Sequence, residues 1–87
     1  MMPDPAGELV PTLDPASCRI AKRSVMIAGH KTSVSLEAAF WERLRQASWS
    51  LGVSINELVT LIDSRRSGNL SSAIRVYLLQ HTDRPQP

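Results

Sequence analysis

Several residue types are scarce in this chain of 87 residues, and each scarcity excludes a class of protein. Cys18 is the one cysteine, so neither a disulfide framework nor a cysteine-based metal site can form within a chain. No apolar run approaches the roughly 18 residues that span a bilayer, and no secretory signal pattern is present. We therefore expect a cytoplasmic protein with no membrane partner.

Residues that carry catalysis are also few. The two histidines, His30 and His81, are far apart in sequence and too unsupported to suggest a catalytic pair. The sequence has no glycine-rich phosphate loop, nucleophile motif or metal-ligand cluster. We expect no enzymatic activity, no cofactor and no bound metal.

Charge is modest overall but unevenly placed. Ten basic and eight acidic residues give a net charge of +2, which fits neither a disordered tail nor a histone-like polycation. Between residues 15 and 36 there are four basic residues and no acidic one. They are Arg19, Lys22, Arg23 and Lys31. This segment suits a polyanionic partner, and the alternative is a solvated arm that contacts nothing.

Proline is concentrated at the two ends of the chain and predicts its organisation. Four of the six prolines precede residue 18, and two follow residue 84. We predict a flexible arm over residues 1–18, one domain over 19–81 and a flexible tail over 82–87. A domain of this size buries only about 60% of its unfolded surface, so a second copy would add needed core.

A strand is predicted just before the first helix, because polar and less polar residues alternate there. Its outward side holds Lys31, Ser33 and Ser35, and its inward side holds Thr32, Val34 and Leu36. Residues 23–28 alternate more weakly, and Gly29-His30 follows them. Glycine first in a two-residue connection indicates a type II′ hairpin, although Gly29 can also mark a bend. Residues 31–61 hold this one strand, which cannot pair with itself, so their order implies that a second copy of the chain supplies the partner strand.

The first helix is predicted from a capping residue, a periodic stripe and a glycine. Ser35 stands at the N-cap position, and Gly52 ends the helix in the left-handed conformation. The predicted buried stripe consists of Phe40, Leu44, Ala47 and Leu51, with Trp41 beside it. Trp49 lies on the opposite, wet face, which suggests coverage by a third helix, by the N-terminal arm or by a partner.

Two further helices follow. Ser54 and Glu57 form a capping box that begins the second helix, which should end between Asp63 and Arg66. Its apolar side is Ile55, Leu58, Leu61 and Ile62. A turn then leads to a third helix capped by Asn69 or Ser71. The stripe of that helix is Leu70, Ala73, Ile74, Tyr77 and Leu78.

The joint spacing of these signals resembles the ribbon-helix-helix family over residues 31–61. The family pattern is a strand ending in leucine, a helix, then glycine, any residue, serine, two variable residues and aliphatics. The matching residues are Leu36, Gly52, Ser54, Asn56, Glu57, Leu58 and Val59. The flanking segments AGHKTSVSLE and GNLSSAIRVYLLQH resemble a short bacterial subfamily with a third helix. The expected fold is mainly α with a short β ribbon and an additional N-terminal strand as an open possibility.

The resemblance implies an intertwined homodimer whose paired strands enter the DNA major groove as a ribbon. It implies outward ribbon positions at Lys31, Ser33 and Ser35. It also implies a phosphate clamp from the amides at Ser54, Ile55 and Asn56. The basic residues Lys22 and Arg23 would add phosphate contacts. The expected partners are a second copy and double-stranded DNA, and the expected function is sequence-specific regulation of transcription.

Three departures from the family pattern favour an alternative. Ser33 and Ser35 are short and discriminate bases poorly. A hairpin with residues 23–28 would give a four-stranded dimer sheet, and the third helix adds a surface for another protein. The alternative function is a dimeric protein-interaction module that has the same fold and does not bind DNA.

Overall fold

The computed structural model describes residues 13–81, which form a two-stranded antiparallel sheet and four helices. In chain order these are α1 (Pro15–Cys18), β1 (Ile20–Ile27), β2 (His30–Glu37), α2 (Ala38–Leu51), α3 (Ile55–Arg65) and α4 (Leu70–His81). The predicted architecture, mainly helical with a β ribbon and a third long helix, is confirmed. Most of the predicted arm and the predicted tail lie outside the described residues, whereas α1 puts regular structure before Arg19.

The partner of β2 is β1 of the same chain. The two strands pair in register from Ile20 opposite Glu37 to Ile27 opposite His30. The inference that the strand before the first helix is alone and needs a second copy was therefore wrong. The open possibility of an additional N-terminal strand is confirmed, and that strand is longer than residues 23–28.

The hairpin turn consists of Ala28 and Gly29, not of Gly29 and His30. Both residues have positive φ, 50° at Ala28 and 83° at Gly29. Positive φ at both central residues is typical of a type I′ turn, whose twist matches that of the strands, so the predicted type II′ turn was wrong. His30 instead begins β2 and lies opposite Ile27.

The core lies between one face of the ribbon and the three long helices. The ribbon contributes Val25, Ile27, Val34 and Leu36. The helices contribute Trp41, Leu44, Leu58, Val59, Ile62, Ile74 and Leu78. All eleven side chains are at most 9% exposed, so the ribbon has one buried face and one free face. This arrangement determines which ribbon residues can reach a partner.

The first helix begins later than its predicted cap. Glu37 is the N-cap of α2, with no side-chain cap hydrogen bond, and the amide of Ala38 donates to the carbonyl of Arg19 at 2.8 Å. The prediction that Ser35 caps this helix was wrong, because strand pairing continues to Glu37 and keeps Ser35 in β2. Gly52 closes the helix at φ 71°, as predicted.

The buried stripe of α2 also differs from the predicted one. Trp41 is buried, and its indole Nε1 donates to the carbonyl of Ala21 at 2.8 Å, which ties α2 to β1. Phe40 and Ala47 are half-buried beside the core. Leu51 is 58% exposed, because no element within residues 13–81 covers the last turn of α2 there.

The other two helices begin as predicted. The hydroxyl of Ser54 accepts from the amide of Glu57, and the Glu57 carboxylate accepts from the amide of Ser54, both at 3.0 Å. Asn69, not Ser71, caps α4, because its side-chain oxygen accepts from the amide of Ser72 at 2.8 Å. On α3, Leu61 is exposed, which contradicts its predicted place in the apolar side, whereas Val59 is fully buried.

Candidate nucleic-acid interface

The free face of the ribbon brings together six side chains, all of them exposed. Three opposite pairs form this outward face, namely Lys22 with Ser35, Ser24 with Ser33, and Met26 with Lys31. The three outward positions predicted on β2 therefore lie where the sequence indicated, and Lys22 joins them. This part of the ribbon carries two lysines and no acidic residue.

The middle of the outward face is formed by Ser24 opposite Ser33. Both side chains are short, so the ribbon backbone itself can approach a surface closely at this point. The lysines lie on either side of the serine pair and on different strands. The outward face is therefore cationic on both sides of a shallow centre, and its charge is complementary to that of a polyanion.

Both edges of the ribbon are held by helices. On the β1 edge, the Asn56 side chain accepts from the amide of Met26 at 3.0 Å, and Thr60 donates to the Met26 carbonyl at 3.3 Å. On the β2 edge, the hydroxyl of Ser71 donates to the carbonyl of Ser35 at 3.1 Å. The helices α3 and α4 thus fix the orientation of the outward face from opposite sides.

Part of the β2 edge has no partner within the described residues. In an antiparallel pair, alternate residues point their backbone groups away from the neighbouring strand, and on β2 these are Lys31, Ser33 and Ser35. Ser35 is bonded to Ser71, but no residue between 13 and 81 pairs with the outward backbone groups of Lys31 and Ser33. This short open edge is a place for another strand to add.

The beginning of α3 lies beside the ribbon, as the bond between Asn56 and Met26 shows. Of the three amides predicted to hold a phosphate, that of Ser54 is occupied by the Glu57 carboxylate. The amides of Ile55 and Asn56 have no acceptor among the described residues. Two amides of the predicted clamp are therefore available to a ligand.

The Glu57 carboxylate adds a negative charge at this helix end. The pKa of Glu57 is lowered, first because the backbone amide of Ser54 donates to the carboxylate and second because of the Ser54 hydroxyl. The group is thus ionised at neutral pH. It stabilises the positive end of α3 but opposes an approaching phosphate.

Arg23 lies apart from the other predicted site residues. It is opposite Val34, on the helix-facing side of the ribbon, and its guanidinium is 5.1 Å from the centre of the Trp41 ring. That distance is typical of a cation–π contact. Arg23 therefore supports the packing of β1 on α2 and does not share a face with Lys31.

Sequence reasoning missed Ser24 and Met26 as members of the outward face. Their positions follow from the hairpin register, which pairs residues whose numbers sum to 57. The alternation over residues 23–28 was the available signal. That alternation identifies the outward residues of β1 only when the turn is also placed correctly. If the turn is moved by one residue, each residue of β1 pairs with a different residue of β2.

An ion pair closes the end of the ribbon away from the turn. The Arg75 guanidinium on α4 donates to the Glu37 carboxylate at 3.0 Å. The pKa of Glu37 is lowered, first by a hydrogen bond from its own backbone amide and then by Arg75. The acidic residue of β2 is therefore partly neutralised and held toward α4.

Two other kinds of site are absent from residues 13–81. No three histidine, cysteine, aspartate or glutamate side chains gather there to hold a metal ion. No helix of that range is long and apolar enough to cross a membrane. Cys18 is exposed and unpaired with another cysteine in the described part of the chain.

Comparison with known proteins agrees with this geometry. A family model described as a ribbon-helix-helix domain matches residues 20–82. The solved structure of an uncharacterized protein from Bordetella pertussis Tohama I is 26% identical, with a TM-score of 0.77. The likeness covers 92% of this chain and 69% of that one. No match was found among curated proteins. The family model spans most of the chain, and the chain belongs to the ribbon-helix-helix domain family.

Proposed function

We propose that the protein is a homodimeric, sequence-specific DNA-binding regulator of transcription in the bacterial cytoplasm. One observation carries the proposal, namely the outward face of the ribbon, which is exposed, shallow at its serine pair and cationic on either side of that pair. A β ribbon fits the major groove, and lysines at its surface can reach phosphates and guanine edges. Membership in the ribbon-helix-helix family supports the same interpretation.

Two features favour a dimer. Exposed apolar side chains of Leu51, Leu61 and Val76 line a groove of about 630 Å³ bounded mainly by α3 and α4. The open edge of β2 at Lys31 and Ser33 is a second unsatisfied surface. A second copy that covers the groove and pairs its β2 with this edge would bury both, at the cost of the exposed bond between Ser71 and Ser35.

The hairpin determines how such a dimer would meet DNA. Two paired hairpins make four strands in the order β1, β2, β2, β1, about 15 to 20 Å wide at the usual strand spacing. The major groove is about 12 Å wide, so only the two central strands enter it. Lys31 and Ser33 on β2 then face base edges, whereas Lys22 on β1 lies over the phosphates.

A titration tests this function. The pure protein is added to a labelled duplex from the region upstream of its own coding sequence and to a duplex of shuffled sequence, each at low and at physiological salt. We expect saturable binding that is tighter for the native duplex and that weakens as salt rises. Equal binding to both duplexes would contradict sequence specificity, and no binding at low salt would contradict the DNA function.

The apolar groove supports a second candidate, a dimeric protein-interaction module that does not bind DNA. In this candidate the two copies pair through the open edge of β2 and leave the groove free. The apolar residues Leu61 and Val76 and the basic residue Arg65 then suit an acidic amphipathic segment of another protein. This candidate predicts that the protein binds neither duplex in the titration and forms a stable dimer in light scattering. A monomer in light scattering would contradict both candidates.

A further inference from the structure

The outer edge of β1, which is the edge away from β2, presents backbone amides to the surroundings. The amide of Met26 donates to the Asn56 side chain, and the carbonyl of Met26 accepts from the Thr60 hydroxyl. The backbone groups of Met26 therefore point away from β2. Because alternate residues of an antiparallel strand share this direction, the amides of Ser24 and Lys22 point away from β2 as well.

These two amides have no protein partner. No group within residues 13–81 accepts a hydrogen bond from the amide of Lys22 or Ser24, and both residues are exposed. The outer edge is thus closed by α3 at Met26 and open at the two residues before it on the same side. In the proposed dimer the strand order places β1 at both rims of the sheet, so this edge stays free. A sheet edge with free amides is a place where anions bind.

Positive charge flanks the open edge on both faces of β1. Lys22 lies on the outward face, and Arg23 lies on the helix-facing side. The Arg23 guanidinium is 5.1 Å from the centre of the Trp41 ring, and its N–H groups have no acceptor in the described part of the chain. A guanidinium that is already stacked on an aromatic ring loses little freedom when it binds a phosphate. Because β1 contains no acidic residue, this edge is complementary in charge to a polyanion.

The beginning of α3 lies at the same edge, because Asn56 bonds the backbone of Met26. The available amides of Ile55 and Asn56 therefore continue the row of donors that the strand edge begins. Glu57 lines a cleft together with the hairpin turn, on the turn side of Met26, whereas Ser24 lies on the other side. The open part of the edge is thus the part away from the Glu57 carboxylate.

We propose that the outer edge of β1 binds backbone phosphates of DNA through the amides of Lys22 and Ser24, with the Lys22 ammonium and the Arg23 guanidinium as neighbouring positive charges. The two amides are about 7 Å apart along the strand, so each one binds a phosphate of its own. The inference rests on the proposed function, because it needs the ribbon to lie in the groove. Phosphate contacts carry no sequence information, so this edge positions the ribbon and does not read bases.

Removal of one amide hydrogen tests this contact. Proline lacks that hydrogen and occurs on edge strands where the amide faces solvent, so Ser24→Pro removes the outward donor from the full-length protein. Ser24→Ala is the matched control, because it removes the hydroxyl and keeps the amide. We expect Ser24→Pro to weaken binding to the native and the shuffled duplex by the same factor, about tenfold or more. Ser24→Ala should leave both affinities nearly unchanged.

A second variant and the DNA itself give an independent measurement. An ester bond in place of the Ser24 amide removes the same hydrogen without the proline ring, and it replaces Ser24→Pro if circular dichroism shows that the proline variant is unfolded. Single phosphates of the upstream duplex are replaced in turn by uncharged methylphosphonates. We expect some of these replacements to weaken binding of the unmodified protein, and we expect at least one of them to lose its effect when the Ser24 amide is absent.

Three results would overturn the inference, and they differ in what they imply for the proposed function. If a folded protein without the Ser24 amide binds both duplexes as tightly as Ser24→Ala does, the edge does not hold phosphate and the proposed function is unaffected. If the loss of affinity is confined to the native duplex, position 24 contributes to base reading instead. If the unmodified protein binds no duplex at low salt, the proposed function fails and this inference fails with it.

Discussion

Lys22 and Lys31 have the same charge and share the outward face, but they lie on different strands. In the proposed dimer, Lys31 on β2 faces base edges, and Lys22 on β1 faces phosphates. Lys31→Ala should therefore change the preferred sequence, by about 1 to 3 kcal/mol at a contacted base pair. Lys22→Ala should weaken all sequences alike and reduce the log–log salt slope by about 0.9 for each phosphate that is no longer neutralised.

The measurement is a competition assay of both variants against a panel of single-base operator variants, after a melting curve confirms that each is folded. Ser35→Ala can be measured in the same assay. Because Ser35 does not cap α2, this substitution removes an outward side chain without removing a helix cap. An unchanged rank order for Lys31→Ala would exclude its role in reading bases. A changed rank order for Lys22→Ala would contradict the assignment of the two strands.

Glu57 tests whether the beginning of α3 binds phosphate. Glu57→Gln keeps a side-chain acceptor for the Ser54 amide but removes the negative charge beside the two available amides. We expect tighter binding to every duplex, because the charge no longer opposes a phosphate. Glu42→Gln removes the same charge from the exposed surface of α2 and should leave affinity nearly unchanged. If both variants raise the DNA affinity equally, the effect comes from the net charge of the protein and not from the beginning of α3.

Glu57 should also contribute to the acid sensitivity of the fold. The pKa of Glu57 in the folded protein lies below its ordinary value of 4.5. The ionised carboxylate therefore stabilises the fold at pH above 4.5, and this contribution is lost as pH falls through the folded pKa. Urea unfolding between neutral pH and pH 3 should show a smaller loss of stability for Glu57→Gln than for the unmodified protein. An equal loss of stability in both proteins would show that Glu57 does not cause the acid sensitivity.

At the scale of elements, the hairpin turn is the most testable feature of the fold. Ala28 has a φ of 50°, which costs a residue with a Cβ about 1 kcal/mol or more, whereas asparagine tolerates this conformation. Ala28→Asn should therefore raise the free energy of unfolding by up to about 1 kcal/mol. Gly29→Ala should lower it by a similar amount, because Gly29 has a φ of 83°. Chemical denaturation measures both, and a stabilising Gly29→Ala would contradict the turn.

Local signals predicted the helices well because each one acts within a few residues. The capping box of Ser54 and Glu57 and the closing glycine Gly52 need only their immediate neighbours. The hairpin was harder to predict from the sequence. Its turn has no Asn-Gly or Asp-Gly signature, and polar and apolar residues alternate only weakly along β1. Ser35 was assigned to a cap because the sequence does not reveal that pairing with β1 extends to Glu37.

The candidate site was predicted in part for the same reason. The side on which Lys31 and Ser33 lie follows from the period of a strand and was correct. The contributions of Ser24 and Met26, and the separation of Arg23 onto the face of Trp41, depend on a register between two strands. Register is a nonlocal property that a weak alternation does not determine.

At the scale of the whole molecule, exposed leucines that line the groove should behave differently from exposed leucines elsewhere on the surface. Leu61 and Leu79 are both exposed in the single chain, at 57% and 70%, but only Leu61 lines the groove. A lysine at position 61 would be buried in the dimer, so Leu61→Lys should weaken dimerisation by about 2 kcal/mol, roughly 30-fold. Leu79→Lys is the matched control. Sedimentation over a range of concentrations measures both, and equal behaviour of the two variants would contradict the groove as the dimer interface.

The central claim, that the outward face of the ribbon binds DNA, is tested most directly by an NMR titration. Backbone amide signals of the isotopically labelled protein are followed as the upstream duplex is added. We predict the largest shifts at residues 22–26 and 31–35, with smaller shifts at the beginning of α3 and little change around the groove. Shifts concentrated at α4 and the groove, with the ribbon unchanged, would contradict the claim.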